Sequence, residues 1–177
     1  MSLRGIKKRV AMFGVNHLFT GTRCFGAKRK LLRMAGHEIG EGTKVVGPIF
    51  CTGKMIIGED CWIGRNLSVE GNGVVRIGDR CDIAPNVAFL TGGHEIGDSN
   101  RRAGKGESYS IEVGNGTWIG ARATLLGNAH VGDGCVLAAC SCVASDIPGN
   151  VLAGGVPAKI IRELKNEAED VTEKQNS

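Results

Sequence analysis

The chain has 177 residues, which is enough for one domain with a hydrophobic core and too few for two full domains. Its formal net charge of +4 gives no reason to expect a nucleic-acid partner, and no apolar stretch approaches the roughly 20 residues of a membrane-spanning helix. The 28 glycines exceed twice the usual share of about 7% and are spaced by apolar residues, which indicates regular turns rather than a flexible linker.

Residues 1–36 form a basic segment that we expect to be helical. Its cations are Arg4, Lys7, Lys8, Arg9, Arg23, Lys28, Arg29, Lys30 and Arg33. One interpretation is a solvated helical face, and the other is peripheral contact with an anionic membrane surface.

Residues 37–157 carry a repeat with a period of six. Its first position is apolar at Ile57, Ile63, Val69, Ile77, Ile83, Phe89, Val113, Ile119, Leu125, Val131, Leu137 and Val143, with weaker positions at Ile39, Val45 and Cys51. The second position is mostly glycine or alanine, and the fifth is often small. Fifth positions hold Cys61, Cys81 and Cys135, so we interpret these three cysteines as small interior fillers. No Cys-x-x-Cys pair or signal peptide is recognisable, and we expect reduced thiols in a cytoplasmic protein.

A six-residue unit fits one short strand and a turn, which predicts an all-β parallel solenoid. Three such units close a triangular coil of about 18 residues, and the array gives about five coils. The first-position side chains are predicted to stack in columns inside the prism. The repeat does not determine the handedness of the coil.

One polar insertion, residues 95–112, interrupts the repeat and is predicted to be a protruding loop. Loops of this length inside a compact domain are usually functional or disordered. His94 stands directly before it, where a regular wall meets the projecting segment. We interpret His17, His37 and His130 as structural.

Several segments resemble the hexapeptide-repeat acyltransferases, which include the maltose, galactoside and serine acetyltransferases. They are "IGEDCWIG", "IGDRCDIAPNV", "VGNGTWIGARATLLGNAHVGDG" and "LAGGVPAKIIREL". The resemblance covers about residues 36–165 and implies a left-handed β-helix, a homotrimer with active sites between subunits, and acetyl-CoA as the acyl donor without a metal. The segment "TGGH" matches the one that carries the family's catalytic base, with one extra glycine, and thereby implies that His94 is this base.

The same resemblance implies the remaining site residues. Cofactor contacts are expected at Trp118, Ala121, Ala139, Pro157, Lys159 and Arg162, and acceptor contacts at Asn72, Asn86, Arg101 and Arg102. Residues 158–177 are expected to form a C-terminal helix and a disordered tail. Two positions depart from the family: Ser145 replaces its usual lysine, and Asn72 replaces the carboxylate that helps the galactoside enzyme bind sugar.

The expected reaction is direct O-acetylation of a hydroxyl on a sugar, a polysaccharide precursor or a glycolipid, as in the polysaccharide-biosynthesis branch. N-acetylation of an amino sugar and acetylation of a streptogramin-type antibiotic remain alternatives. Two other classes use the same prism. A γ-type carbonic anhydrase needs three zinc-binding histidines, and an ice-binding scaffold has no use for the inserted loop.

Overall fold

The computed structural model describes residues 3–165 and shows two helices followed by a parallel β-solenoid. Helix α1 (Leu3–Phe13) continues into a π-helical turn (Gly14–Leu18), and α2 (Phe25–Met34) precedes the first strand. The predicted boundary at residues 36 and 37 falls between α2 and that strand. No helix within residues 3–165 has the length and apolar character needed to cross a membrane.

The strands form three parallel faces of a triangular prism. Face 1 contains β1 (Glu38–Ile39), β4 (Lys54–Ile57), β7 (Val74–Ile77), β12 (Ser110–Val113) and β15 (His130–Val131). Face 2 contains β2 (Lys44–Val45), β5 (Trp62–Ile63), β8 (Asp82–Ile83), β13 (Trp118–Ile119), β16 (Val136–Leu137) and β18 (Val151–Gly155). Face 3 contains β3 (Ile49–Cys51), β6 (Leu67–Glu70), β9 (Ala88–Leu90), β14 (Thr124–Leu126) and β17 (Cys142–Val143). The six stacked levels of face 2 make about six coils, one more than the repeat predicted.

Turns at the three edges connect the faces. Corner A joins faces 2 and 3 and includes Pro48, Asn66, Asn86, Arg122 and Cys140, whose backbones are hydrogen-bonded from one coil to the next. Corner B joins faces 3 and 1, with turns at residues 52–53, 71–73 and 127–129. Corner C joins faces 1 and 2. Corners A and B position most residues of the candidate site.

The repeat predicts the core correctly. All twelve first-position side chains are buried: Ile57, Ile63, Val69, Ile77, Ile83, Phe89, Val113, Ile119, Leu125, Val131, Leu137 and Val143. Cys61, Cys81 and Cys135 are also buried. The Sγ atom of Cys81 donates a hydrogen bond to the carbonyl of Gly114 on the next coil, so this side chain links two coils in addition to filling the interior. The interpretation of these cysteines as interior fillers is confirmed.

Part of the basic N-terminal segment anchors α2 to the prism. Lys28 is fully buried; its ammonium donates to the carbonyl of Gly21 and lies 4.8 Å from the centre of the Phe25 ring. Arg29 and Arg33 both form ion pairs with Glu41, at 3.2 and 2.8 Å. A uniformly solvated basic face is therefore wrong for α2.

The inserted segment is a β-hairpin rather than an irregular loop. Strands β10 (Gly92–Ile96) and β11 (Ala103–Ser108) pair antiparallel and leave the prism at corner B. The strands on either side keep their register, because β7 pairs with β12 and β9 pairs with β14 across the insertion. The hairpin is thus an outgrowth of one corner that does not disturb the stack.

The predicted C-terminal helix is wrong. Residues Ala158–Glu163 form β19, which pairs antiparallel with β18 at the edge of face 2. The physical reason is that β18, as the last coil, offers an unpaired row of backbone groups, and the β-branched Ile160 and Ile161 favour a strand that satisfies them. The predicted disordered tail lies outside the described residues.

Two glycines at corner B differ in the space around them and test this packing. A Cβ on Gly73 would lie 1.9 Å from the carbonyl oxygen of Tyr109, whereas a Cβ on Gly106 would meet nothing within 4 Å. We expect Gly73→Ala to lower the free energy of unfolding by at least about 2 kcal/mol, and Gly106→Ala to change it by no more than about 0.5 kcal/mol. Urea unfolding followed by circular dichroism measures both. Equal stability of the two variants would contradict the stacked-turn geometry.

Candidate active site

His94 lies on β10, at the base of the hairpin, with its side chain exposed. Its Nδ1 atom is 2.9 Å from the carbonyl oxygen of Gly104 on the opposite strand. A carbonyl oxygen only accepts hydrogen bonds, so Nδ1 carries the proton when the ring is neutral. Nε2 then bears the lone pair, and the hairpin itself determines which nitrogen is basic.

The imidazole faces a surface cavity of about 420 Å³ at corner B. Its wall includes Gly71 and Asn72 from the turn below, together with Gly92, Gly106 and Ser108 from the hairpin. In the hairpin ladder His94 pairs with Gly106 and Gly92 pairs with Ser108, so these residues share one face of the ribbon. Four of the eight residues that line the cavity are glycines, and the cavity therefore has room for a ligand next to the ring.

Glu95 does not orient the imidazole. Adjacent residues in a strand point to opposite faces, and Glu95 lies on the far side of the ribbon with its carboxylate 3.9 Å from the ammonium of Lys105. The carbonyl of Gly104 performs the orienting role instead. No sequence motif marked Gly104, because its position depends on the pairing of the two hairpin strands.

Tyr109 supports the strand that carries His94. A Cβ on Gly93 would lie 2.6 Å from the Tyr109 hydroxyl oxygen and 2.7 Å from Cε2 of its ring, so any larger residue there would displace the Tyr109 side chain. The hydroxyl donates to Glu107 at 2.7 Å, and this hydrogen bond raises the pKa of Tyr109. The extra glycine of "TGGH" was the signal that could have revealed this contact.

The four expected acceptor residues do not come together in one protomer. Asn72 lines the His94 cavity. Asn86 lies at corner A, where its side-chain oxygen accepts a hydrogen bond from Asn66 at 3.0 Å. Arg101 and Arg102 lie at the tip of the hairpin, and the Arg102 guanidinium donates to the carbonyl of Gly97 at 3.2 Å.

The expected cofactor residues follow face 2 and corner A. Trp118 is 56% exposed and lines a cavity of about 400 Å³ together with Trp62 and Pro85. Ala121 and Ala139 stack on successive coils of corner A, where the N–H of Cys140 donates to the carbonyl of Ala121. The amide N–H groups of Ala121 and Ala139 have no partner within residues 3–165.

The other three cofactor candidates lie on the C-terminal hairpin, and all three are exposed. Pro157 occupies the turn between β18 and β19, and Lys159 pairs with Gly154. Arg162 pairs with Leu152, which continues the column that runs through Val136 to Trp118. The cationic residues therefore lie at one end of a strip that has Trp118 at the other.

The candidate base and the expected cofactor residues occupy different corners of one prism. His94 leaves the prism at corner B, whereas Ala121 and Ala139 lie at corner A, across face 3. A single protomer does not bring the imidazole next to these alanines.

Two family models match the repeat. The model described as "Bacterial transferase hexapeptide (six repeats)" matches residues 110–145, and that of the "Hexapeptide repeat of succinyl-transferase" matches residues 54–89. The galactoside O-acetyltransferase of Escherichia coli K12 is 36% identical over 141 residues, which are 78% of this chain and 70% of that protein.

The chain belongs to the hexapeptide-repeat acetyltransferases.

Solved structures of this family agree with the fold. A galactoside acetyltransferase in complex with coenzyme A has a TM-score of 0.77 and 28% identity, covering 94% of this chain and 83% of its own. An acetyltransferase of Vibrio cholerae complexed with acetyl coenzyme A has a TM-score of 0.76 and 26% identity, covering 92% and 88%. The left-handed β-helix, the acetyltransferase activity and acetyl-CoA as acyl donor follow for this chain.

Membership of this family rules out the carbonic anhydrase and ice-binding alternatives. The expectation that no metal is required stays a prediction.

The hydrogen bond to Gly104 predicts the tautomer of His94. We expect the neutral ring to carry its proton on Nδ1, because the carbonyl partner accepts and cannot donate. Two-bond ¹⁵N–¹H correlation spectra of the imidazoles, compared between the wild type and His94→Gln, assign the ring and its protonated nitrogen. A neutral His94 protonated on Nε2 would show that this hydrogen bond is absent in solution.

Proposed function

We propose that the protein transfers the acetyl group of acetyl-CoA to a hydroxyl of a sugar or polysaccharide precursor, with His94 as general base. The observation that carries the proposal is the hydrogen bond from Nδ1 to Gly104, which leaves the basic Nε2 atom for the open cavity at corner B. The E. coli relative, named a galactoside O-acetyltransferase, supports a sugar hydroxyl as the acceptor.

The reaction is a direct transfer. Nε2 of His94 removes the proton of the acceptor hydroxyl as its oxygen forms a bond to the thioester carbonyl carbon. The tetrahedral adduct collapses when the carbon–sulfur bond breaks, and the imidazolium returns the proton to the departing thiolate. His94 is therefore neutral again after each turnover, ready for the next acceptor.

Acetyl-CoA is proposed to lie along corner A and face 2. The unpartnered amides of Ala121 and Ala139 are donors spaced one coil apart, which suits the amide carbonyls of a pantetheine arm. Trp118 flanks this path, and Pro157, Lys159 and Arg162 lie at its C-terminal end. The two exposed cations there suit the phosphates of the cofactor.

The separation of the two corners supports a homotrimer with active sites between subunits. In that assembly the hairpin of one subunit brings His94 to the cofactor strip of its neighbour. Ile96 on the hairpin is 90% exposed, and an apolar side chain this exposed on a projecting ribbon favours a subunit contact. Arg101 and Arg102 would then reach the acceptor site on the same hairpin as His94, and Asn86 would contribute from corner A of the neighbouring subunit.

The cellular setting stays a prediction. The seven cysteines are free thiols, which supports the cytoplasm. Ile6, Val10 and Phe13 are exposed on α1 beside basic residues, which supports peripheral membrane contact and a lipid-linked acceptor.

Replacement of the base tests the reaction. With acetyl-CoA and a panel of sugars, nucleotide sugars, amino sugars and antibiotic acceptors, we expect His94→Ala to lower the release of free thiol by about 10²–10⁴-fold. The matched control is His130→Ala, because His130 is exposed on face 1 away from the cavity. Acetyl-CoA affinity is expected to stay the same in both variants. Full activity of His94→Ala would reject the base, and turnover with amine acceptors alone would favour N-acetylation.

Subunit mixing tests the shared site. Ala139→Tyr fills the exposed corner-A position and is expected to abolish acetyl-CoA binding, so it is inactive alone, as is His94→Ala. Random mixed trimers are expected to regain about a quarter of wild-type activity, because one interface in four combines an intact base with an intact cofactor strip. Mixed assemblies that stay inactive, although shown by mass spectrometry to form, would place both groups in one subunit.

A further inference from the structure

A second cavity of about 360 Å³ lies at the N-terminal end of corner B, below the His94 cavity. Lys8 and Gly5 of α1 form one side of it, and His37, Gly53 and Lys54 of the first coils form the other. Because Gly5 and Gly53 have no side chains, only backbone atoms form their part of the cavity wall. The two ammonium groups are therefore the principal polar side chains that face this space.

The cavity carries net positive charge. Lys54 forms an ion pair with Glu38, whereas Lys8 is partly buried and has no ion-pair partner within residues 3–165. Two lysines against one carboxylate leave one positive charge uncompensated. A partly buried cation gains more from an anionic ligand than a fully solvated one, because water screens it less.

His37 places a buried imidazole, with one unpartnered ring nitrogen, beside the cavity. The side chain is 4% exposed, and its Nδ1 accepts the backbone N–H of Met55 at 3.3 Å, so the proton of the neutral ring is on Nε2. Nε2 is buried and has no partner among the described residues. Burial and the nearby Lys8 and Lys54 lower the pKa of His37 to about 4, so the ring is neutral at pH 7.

This cavity and the His94 cavity share a wall. Gly53 lines the lower cavity, and a Cβ on it would lie 2.5 Å from the carbonyl oxygen of Gly73 and 3.1 Å from that of Gly71. Gly71 in turn lines the His94 cavity. The turn of Gly53, the turn of Gly71 and the base of the hairpin occupy successive coils, so the two sites are about 10 Å apart at the usual strand spacing.

We propose that the lower cavity is a binding subsite for a phosphate or carboxylate group, and that this group belongs to the acceptor whose hydroxyl is presented to His94. Lys8 and Lys54 hold the anion, next to the buried ring of His37. The link to the acceptor rests on the proposed function, whereas the anion subsite itself does not. An acceptor with its charge about 10 Å from the reacting hydroxyl is a phosphorylated or acidic saccharide, and a neutral monosaccharide is a poor one.

Equilibrium binding tests the subsite without turnover. Inorganic phosphate, glucose 6-phosphate and glucose are titrated into the wild type, Lys8→Gln and Lys7→Gln, with calorimetry for affinity and imidazole NMR for His37. Lys7 is the matched control, because it is the exposed neighbour of Lys8 on the same helix. We expect Lys8→Gln to weaken phosphate binding about tenfold and Lys7→Gln by less than about twofold. The Nε2–H resonance of His37 is expected to shift on phosphate binding.

The outcomes separate this subsite from the proposed reaction. Equal weakening by both substitutions, or no shift at His37 in the wild type, would overturn the subsite. If inorganic phosphate binds but glucose 6-phosphate does not, the link between the subsite and the acceptor is overturned. The same conclusion follows if glucose binds as well as glucose 6-phosphate. The titration is repeated in His94→Ala, where phosphate binding is expected to be unchanged. The binding result therefore does not depend on whether His94 is the catalytic base.

Discussion

In-register parallel pairing between successive coils is the constraint on which the rest of this molecule depends. A coil has too few residues to bury its own apolar side chains, so each is stable only between its neighbours. The N–H of Gly64 donates to the carbonyl of Ile83 on the next coil, and the N–H of Ala84 donates to the carbonyl of Ile119 in the same way. The second pair of strands keeps this register although the paired residues are 36 positions apart in sequence, compared with 20 for the first pair. Any insertion must therefore leave and re-enter at one corner, and this places the His94 hairpin on an edge of the prism.

That placement explains the chemistry of the site. A hairpin outside the stack contributes no side chain to the buried columns inside the prism, so it can carry a polar, exposed side chain. Antiparallel pairing within the hairpin then supplies the carbonyl of Gly104 to fix the ring of His94. Because the proposed cofactor residues Ala121 and Ala139 lie on the regular prism at another corner, the rigid geometry that stabilises the fold also separates them from the proposed base in one chain. Assembly of subunits is the proposed solution.

Both ends of the prism present unpaired strand edges, and the chain covers them differently. At the C-terminal end, β19 folds back and pairs with β18. At the N-terminal end, α2 is anchored by the ion pairs of Arg29 and Arg33 to Glu41. This helical cover leaves the cavity around Lys8, with the unpartnered Nε2 of His37 buried beside it. The proposed anion subsite is thus a consequence of how one open end is closed.

The sequence by itself determined the solenoid, its inner columns and the point where the segment after His94, the proposed base, leaves it. A period of six with apolar first positions predicts a triangular parallel coil with those side chains inside, and a break in that period marks the insertion whatever its structure. Only the tertiary structure decided that the insertion is a hairpin, that Gly104 rather than Glu95 orients His94, and that residues 158–163 form a strand. Each of these depends on backbone partners distant in sequence, and local propensity carries no information about partners that only the folded stack brings together.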